Sequence, residues 1–180
     1  MSTIKTTNIA HGSKSGTANL VLDDTGKVSI AEKKLYCPGT IIQVVYATSS
    51  TQQTLSANDT YTDLGPTASI TPTANTSKIK VTFNGAAAIE NHNDIKTKIV
   101  RTKGGSASDI YEHVTYSSDT AENNFLCCMI TIDDPYGGSG TVGELNYKMQ
   151  MSVATNYGQV WWQYGSGTSY STIILEEIAG

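Results

Sequence analysis

Hydrophobic and polar residues alternate along much of this chain with a period of two. Over residues 78–83, Ile79, Val81 and Phe83 fall on one face and Lys78, Lys80 and Thr82 on the other. Over residues 143–153, Leu145, Tyr147, Met149, Met151 and Val153 face one way, and Glu144, Asn146, Lys148, Gln150 and Ser152 the other. Successive side chains of a strand point to opposite faces, so this alternation predicts antiparallel sheet with one face on a core and one in water. Further extended segments are expected at 40–47, 61–64, 68–70, 85–90, 95–101, 110–116, 159–164 and 171–178. The stretch 125–133 (FLCCMITID) is apolar at both parities; it predicts a central strand covered on both sides. Residues 134–143, rich in Gly, are expected to form a loose loop.

These signals recur about every 8–12 residues with Gly, Asn and Ser turns between them, and no segment carries a helical period. The pattern predicts an all-β fold: an antiparallel β-sandwich, jelly-roll-like, of about eight to ten strands over residues 36–180. Residues 1–35 read differently. Residues 1–18 are polar and bury too little to offset chain entropy, which makes them either a tail or an arm that orders on a neighbouring subunit. Residues 19–30 predict a small hairpin, with Leu20 and Leu22 before the turn Asp23-Asp24-Thr25-Gly26 and Val28 and Ile30 after it. An isolated hairpin is marginal in water, so it needs a partner surface. The apolar residues of this region, Ile4, Ile9, Leu20, Leu22, Val28 and Ile30, are the candidates for that contact.

Composition narrows the function classes. The chain has 180 residues, a net charge of −4 and no basic run longer than Lys33-Lys34, so no nucleic-acid partner is expected. No segment approaches the about 20 apolar residues of a membrane-crossing helix, so no membrane association is expected. The opening residues lack an apolar stretch, so no secretory signal is expected and synthesis in a cytoplasm is. There are 10 Tyr against 2 Phe, a balance suited to contact surfaces. The three cysteines are expected to be reduced thiols, with Cys127 and Cys128 on opposite faces of one strand.

Candidate chemistry is sparse. Glu90-Asn91-His92-Asn93-Asp94 lacks the ligand order of a calcium loop and reads as a solvated turn. Asp133-Asp134-Pro135 reads as turn capping rather than as paired catalytic carboxylates. There is no Gly-x-Ser-x-Gly elbow. No catalytic, cofactor-binding or metal-binding residue is assigned, and no cofactor is expected. Trp161, Trp162 and Tyr164 lie in one aromatic stretch, which is either core plus subunit contact or a face for stacking on sugar rings.

The segments PGTIIQVVYATS (from Pro38), YTDLG (from Tyr61), SITPT (from Ser69), SKIKV (from Ser77) and the closing STIILEEIAG resemble a β-sandwich domain widespread in tailed-phage virion proteins, especially those of cyanobacterial phages. The leading TTNIAHGSKSGTANLVLDDTGKVSI is similar to the segment that often precedes that domain. Residues 85–142 match in strand rhythm alone. The resemblance implies a non-enzymatic, homotrimeric virion component, made in the host cytoplasm. Its partners would be the major capsid protein or tail proteins. Two roles follow: a capsid decoration (cement) protein held by its N-terminal arm, or a short tail fibre or spike that recognises host surface glycan. With no heptads or shaft in the chain, decoration is preferred. Ile42, Val44, Ile174 and Ile178 are the expected trimer contacts on an outer sheet face.

Overall fold

The structure, a computed structural model, describes residues 8–9, 20–22, 28–30, 38–56, 59–89, 93–117, 123–154, 159–163 and 170–180. It divides into two units, Met1–Thr40 and Ile41–Gly180. In the first, β1 (Asn8–Ile9), β2 (Leu20–Leu22) and β3 (Val28–Ile30) form a three-stranded antiparallel sheet with β2 in the middle. The expected hairpin is present, with Leu20 opposite Ile30 and Leu22 opposite Val28. Ile4 lies outside the described residues, as do the side chains of Ile9, Leu20, Leu22, Val28 and Ile30.

The second unit holds β4 (Ile41–Ser49), β5 (Gln53–Leu55), β6 (Thr62–Ile70), β7 (Lys78–Ile89), β8 (Asn93–Lys103), β9 (Ser106–Ser117), β10 (Asn123–Asp133), β11 (Leu145–Val153), β12 (Val160–Trp162) and β13 (Ser171–Ile178). Among the described residues there is no helix. One sheet runs β4-β13-β7-β10, with β12 and β5 continuing it beside the far half of β7; the other runs β6-β11-β8-β9. Number the long strands β4, β6, β7, β8, β9, β10, β11 and β13 from one to eight. The sheets then read 1-8-3-6 and 2-7-4-5, the interlocked Greek keys of a jelly roll.

The core lies between the two sheets and is built by the alternation. Leu145, Tyr147, Met149, Met151 and Val153 of β11 face Ile79, Val81 and Phe83 of β7, Ile173 and Leu175 of β13, and Trp162 of β12, all essentially solvent-free. Trp162 lies against Phe83, ring centroids 5.7 Å apart and tilted by 41°. Glycine makes that arrangement possible. A Cβ at Gly85 would fall 2.2 Å from Cζ2 of Trp162, and one at Gly65, already at φ +67°, would fall 2.9 Å from Cζ of Phe83.

Three expectations need correction. Residues 61–64 and 68–70 are not separate pieces: one strand, β6, runs through Gly65-Pro66, and the break in register opposite Tyr147–Met149 absorbs the irregularity as a bulge. The 134–143 connection is pinned rather than loose. The Tyr136 hydroxyl donates to the Gly143 carbonyl and accepts from its N–H, both at 2.8 Å, and Gly137 N–H donates to Asp134 Oδ1. Finally, β10 is not a central strand. Among the described residues it pairs with β7 alone, and of its described side chains only Cys127, Met129 and Asp133, on its inward side, are buried. Its other side faces outward, with Leu126, Ile130 and Ile132 exposed and no described strand over them.

The β8–β9 hairpin closes through Gly104 and Gly105 at φ 55° and 83°, between the paired Lys103 and Ser106. Two consecutive residues at positive φ are the requirement of a type I′ turn, whose twist matches that of the strands it joins.

Two unlike outer faces

The two sheets bury similar inner faces but differ on their outer ones. On the β6-β11-β8-β9 sheet, polar side chains hold one another. Asp63 of β6 accepts from Lys148 Nζ at 2.7 Å and Gln150 Nε2 at 2.6 Å, both on β11. Burial raises its carboxyl, but these two donors outweigh that and hold it below the usual aspartate range. Lys98 of β8 pairs with Asp109 of β9 at 2.9 Å and sits 4.0 Å over the ring of Tyr61. The Tyr61 hydroxyl donates to Glu112 at 2.6 Å; burial, and then that carboxylate, push its ionisation upward. Lys96 reaches Asp59 at 3.1 Å. Exposed pairs like these contribute little stability each, and they keep the face hydrated.

The outer face of β4-β13-β7-β10 is the opposite. Cross-strand register places its side chains in rows. One row is Val44, Glu176, Lys80 and Ile132; the next is Tyr46, Ile174, Thr82 and Ile130; the next is Thr48, Thr172, Asn84 and Cys128. Among the described residues, eight large apolar side chains are largely exposed, and six of them lie on β4 or β10: Ile41, Val44, Tyr46, Leu126, Ile130 and Ile132. Their exposure runs from 50% for Ile41 to 80% for Leu126. Lys80 and Glu176 neutralise each other at 2.6 Å. The face is therefore apolar at both margins and neutral in the middle, and its exposed hydrophobes cluster rather than scatter singly.

The expected contact residues divide accordingly. Val44 and Ile174 lie on this face, and Ile178 follows on it opposite Ile41. Ile42 is the unmatched residue of the bulge between the Gln43 and Ile41 pairings and is half-buried. Tyr46, Leu126, Ile130 and Ile132 were not anticipated. The signal was present: the even-numbered apolar residues of 125–133 can equally belong to a face left bare.

Of the three aromatic residues offered for sugar stacking, Trp162 needs correction. Trp162 is fully buried against Phe83 and cannot meet a ligand. Trp161 is half-buried, and Tyr164 lies outside the described residues. Glu90, Asn91 and His92 also lie outside them, while Asn93 and Asp94 begin β8. Cys127 is buried and Cys128 exposed, on opposite faces as expected; burial, with Cys128 adding, pushes the Cys127 thiol up to about 11.

Asp133 does not pair with Asp134. It turns inward, where both its oxygens accept from Arg101 Nη1 of β8, at 2.7 and 2.8 Å, and one accepts from the Tyr147 hydroxyl of β11 at 2.8 Å. Burial first, and then this carboxylate, raise the ionisation of Tyr147. The cluster ties the two sheets together. A cavity of about 470 Å³ nearby is lined by Lys103, Tyr136, Glu144 and Asn146 among others. Lys103 is already engaged there, donating to the Pro135 carbonyl at 2.7 Å and lying 4.0 Å over the Tyr136 ring. Among the described residues, no group of three or more His, Cys, Asp or Glu is placed to hold a metal ion.

No protein-family model matches the sequence, and no curated protein matches it. Among solved structures, the chain is similar to one in the structure of infectious bursal disease virus, Gx strain, with 10% identity over 96% of this chain and 46% of that one and a TM-score of 0.42. The Gt strain of the same virus gives 9% identity, 96% and 45% coverage and a TM-score of 0.36. This chain spans less than half the length of either.

Proposed function

We propose that this chain is a non-enzymatic structural component of a virus particle, a homotrimeric decoration protein that braces the capsid of a tailed phage. One observation carries the reading. The sandwich has one outer face laced with ion pairs and fit for water, and one apolar, neutral outer face that stays exposed in a single copy. A protein whose task is to clasp other proteins needs that division, with a rigid core behind it. The likeness of residues 38–83 and 171–180 to tailed-phage sandwich domains supports the virion setting. The leading unit, with its small β1-β2-β3 sheet, supplies extended strands that can add to a neighbour's sheet, and three such arms per trimer would bind with avidity.

The test uses particles lacking this protein. Full-length chain is expected to be trimeric by native mass spectrometry and to bind those particles, while a variant lacking residues 2–30 stays folded and fails to bind. Retained binding by the truncated chain would remove the arm from the mechanism. The second role, a spike recognising host glycan through Trp161, Trp162 and Tyr164, loses its central residue to the core and is not favoured.

A further inference from the structure

The four outer edges of the sandwich are not equally guarded. Sheet edges present unpaired backbone groups, and proteins blunt them with bulges, charges or proline. On β6 there are Asp63, Pro66 and a bulge against β11. On β9 there are Asp109, Glu112 and a bulge against β8. On β4 there is a bulge against β13. On β10 there is none of these. Its eleven residues pair with β7 without a shift, and its outward side chains Leu126, Cys128, Ile130 and Ile132 are exposed and uncharged. The inward Asp133 is its one charged residue, and that is consumed by Arg101.

We infer that β10 forms a subunit seam whose occupant is a second copy of this chain, with β10 of one copy alongside β4 of the next and the ring closing on three. This rests on the trimer reading above and names its interface. The same sheet carries both halves of the contact at its two margins: Leu126, Ile130 and Ile132 on β10, Val44 and Tyr46 on β4. A head-to-tail contact of two different margins is the kind that closes into a ring. Direction agrees. Each neighbour in β4-β13-β7-β10 is antiparallel, so β10 runs opposite to β4. A three-fold axis along the strands preserves direction in every copy, so the seam is antiparallel too. The apolar faces then turn toward the axis and the ion-paired sheets toward water. Size sets a condition on the seam. Four strands at about 4.8 Å by eight residues at about 3.4 Å give a flat face of about 500 Å², which a ring shares between two neighbours; that is below the roughly 800 Å² per partner of a standard interface, so the seam needs the backbone pairing of β10 with β4 as well as apolar area.

Cross-linking tests the seam. With Cys37→Ser as background, Cys128 supplies the exposed thiol, and Val44→Cys, Tyr46→Cys and Thr48→Cys sample the β4 row at different seam registers. Oxidation is expected to give a covalent trimer with at least one of them, and none with the background alone. Covalent dimer from the background would place β10 against β10 across a two-fold axis and overturn the seam. No covalent trimer from any variant, with a trimeric native mass, would also overturn the seam while leaving the trimer standing. A monomeric native mass would overturn both. Ile130→Asp, on the outward side, is expected to abolish the trimer and leave a folded monomer that melts cooperatively; a variant that remains trimeric counts against the seam.

Discussion

Replacing Gly85 by Ala adds one methyl group where the core has no room for it. The new Cβ would lie 2.2 Å from Cζ2 and 2.5 Å from Cη2 of Trp162 and 3.1 Å from Cβ of Ser171. The indole cannot swing aside: it is solvent-free, packed on Phe83, with Gly65 close to its Nε1 on another side. Overpacking of this kind costs about 1–3 kcal/mol, and contacts this short with a rigid ring argue for the upper end. Against that, Ala restricts the unfolded chain more than Gly and returns about 0.4–1 kcal/mol. A net loss of about 2 kcal/mol lowers Tm by roughly 4–8 °C for a unit of this size. Urea and thermal unfolding followed by tryptophan fluorescence would read it. The decisive arm is a double-mutant cycle with Trp162→Phe. The smaller ring removes the atoms that clash, so the combined variant should be less destabilised than the sum of the two. Unchanged stability for Gly85→Ala, or simple additivity in the cycle, would refute the packing argument.

Further tests address the polar groups inside the fold. Glu177 accepts from Thr73 N–H at 2.6 Å, Thr73 Oγ1 at 2.7 Å and Gln43 Nε2 at 2.6 Å; burial raises its carboxyl, yet these bonds prevail and hold it below its ordinary value of 4.5. A lowered folded pKa means the unfolded chain binds the proton first, so the stability it contributes is full above that ordinary value and drains as pH falls below it. Tm should drop on acidification through that window, and Glu177→Gln should flatten the drop; an unaltered acid limb would count against it. Arg101→Met strands the Asp133 carboxylate and should cost about 3–5 kcal/mol, most of it recovered in Arg101→Met with Asp133→Leu; a single-variant loss near zero in denaturant titration would dismiss the inter-sheet tie. Tyr147→Phe removes a bond to a charged acceptor and should cost about 1.5–3 kcal/mol by the same titration, with no loss meaning the hydroxyl is idle.

The alternation at 78–83 and 143–153 was legible because strand geometry writes it directly into residue order, and the inward side of β11 follows it without exception. The hairpin at 20–30 was legible for the same local reason. What failed depended on distant partners. Apolar residues at both parities of 125–133 say that neither side of the strand is polar, but not that this unit covers only one of them. Trp161 and Trp162 are adjacent, so a strand points them to opposite faces, yet only the third dimension shows which one Gly85 admits to the core. Asp133 looked like a turn residue beside Asp134, and Arg101, 32 positions away, gives it its role.

The Gly104-Gly105 turn has a practical consequence. Its backbone already occupies the left-handed region, a Cβ on either glycine would meet nothing within 4 Å, and Lys103 and Ser106 stay paired beneath it. Loop tips of this kind accept inserted sequence. A foreign epitope spliced between the two glycines would leave both β10 and β4 untouched, so the hairpin tip offers a site for peptide display.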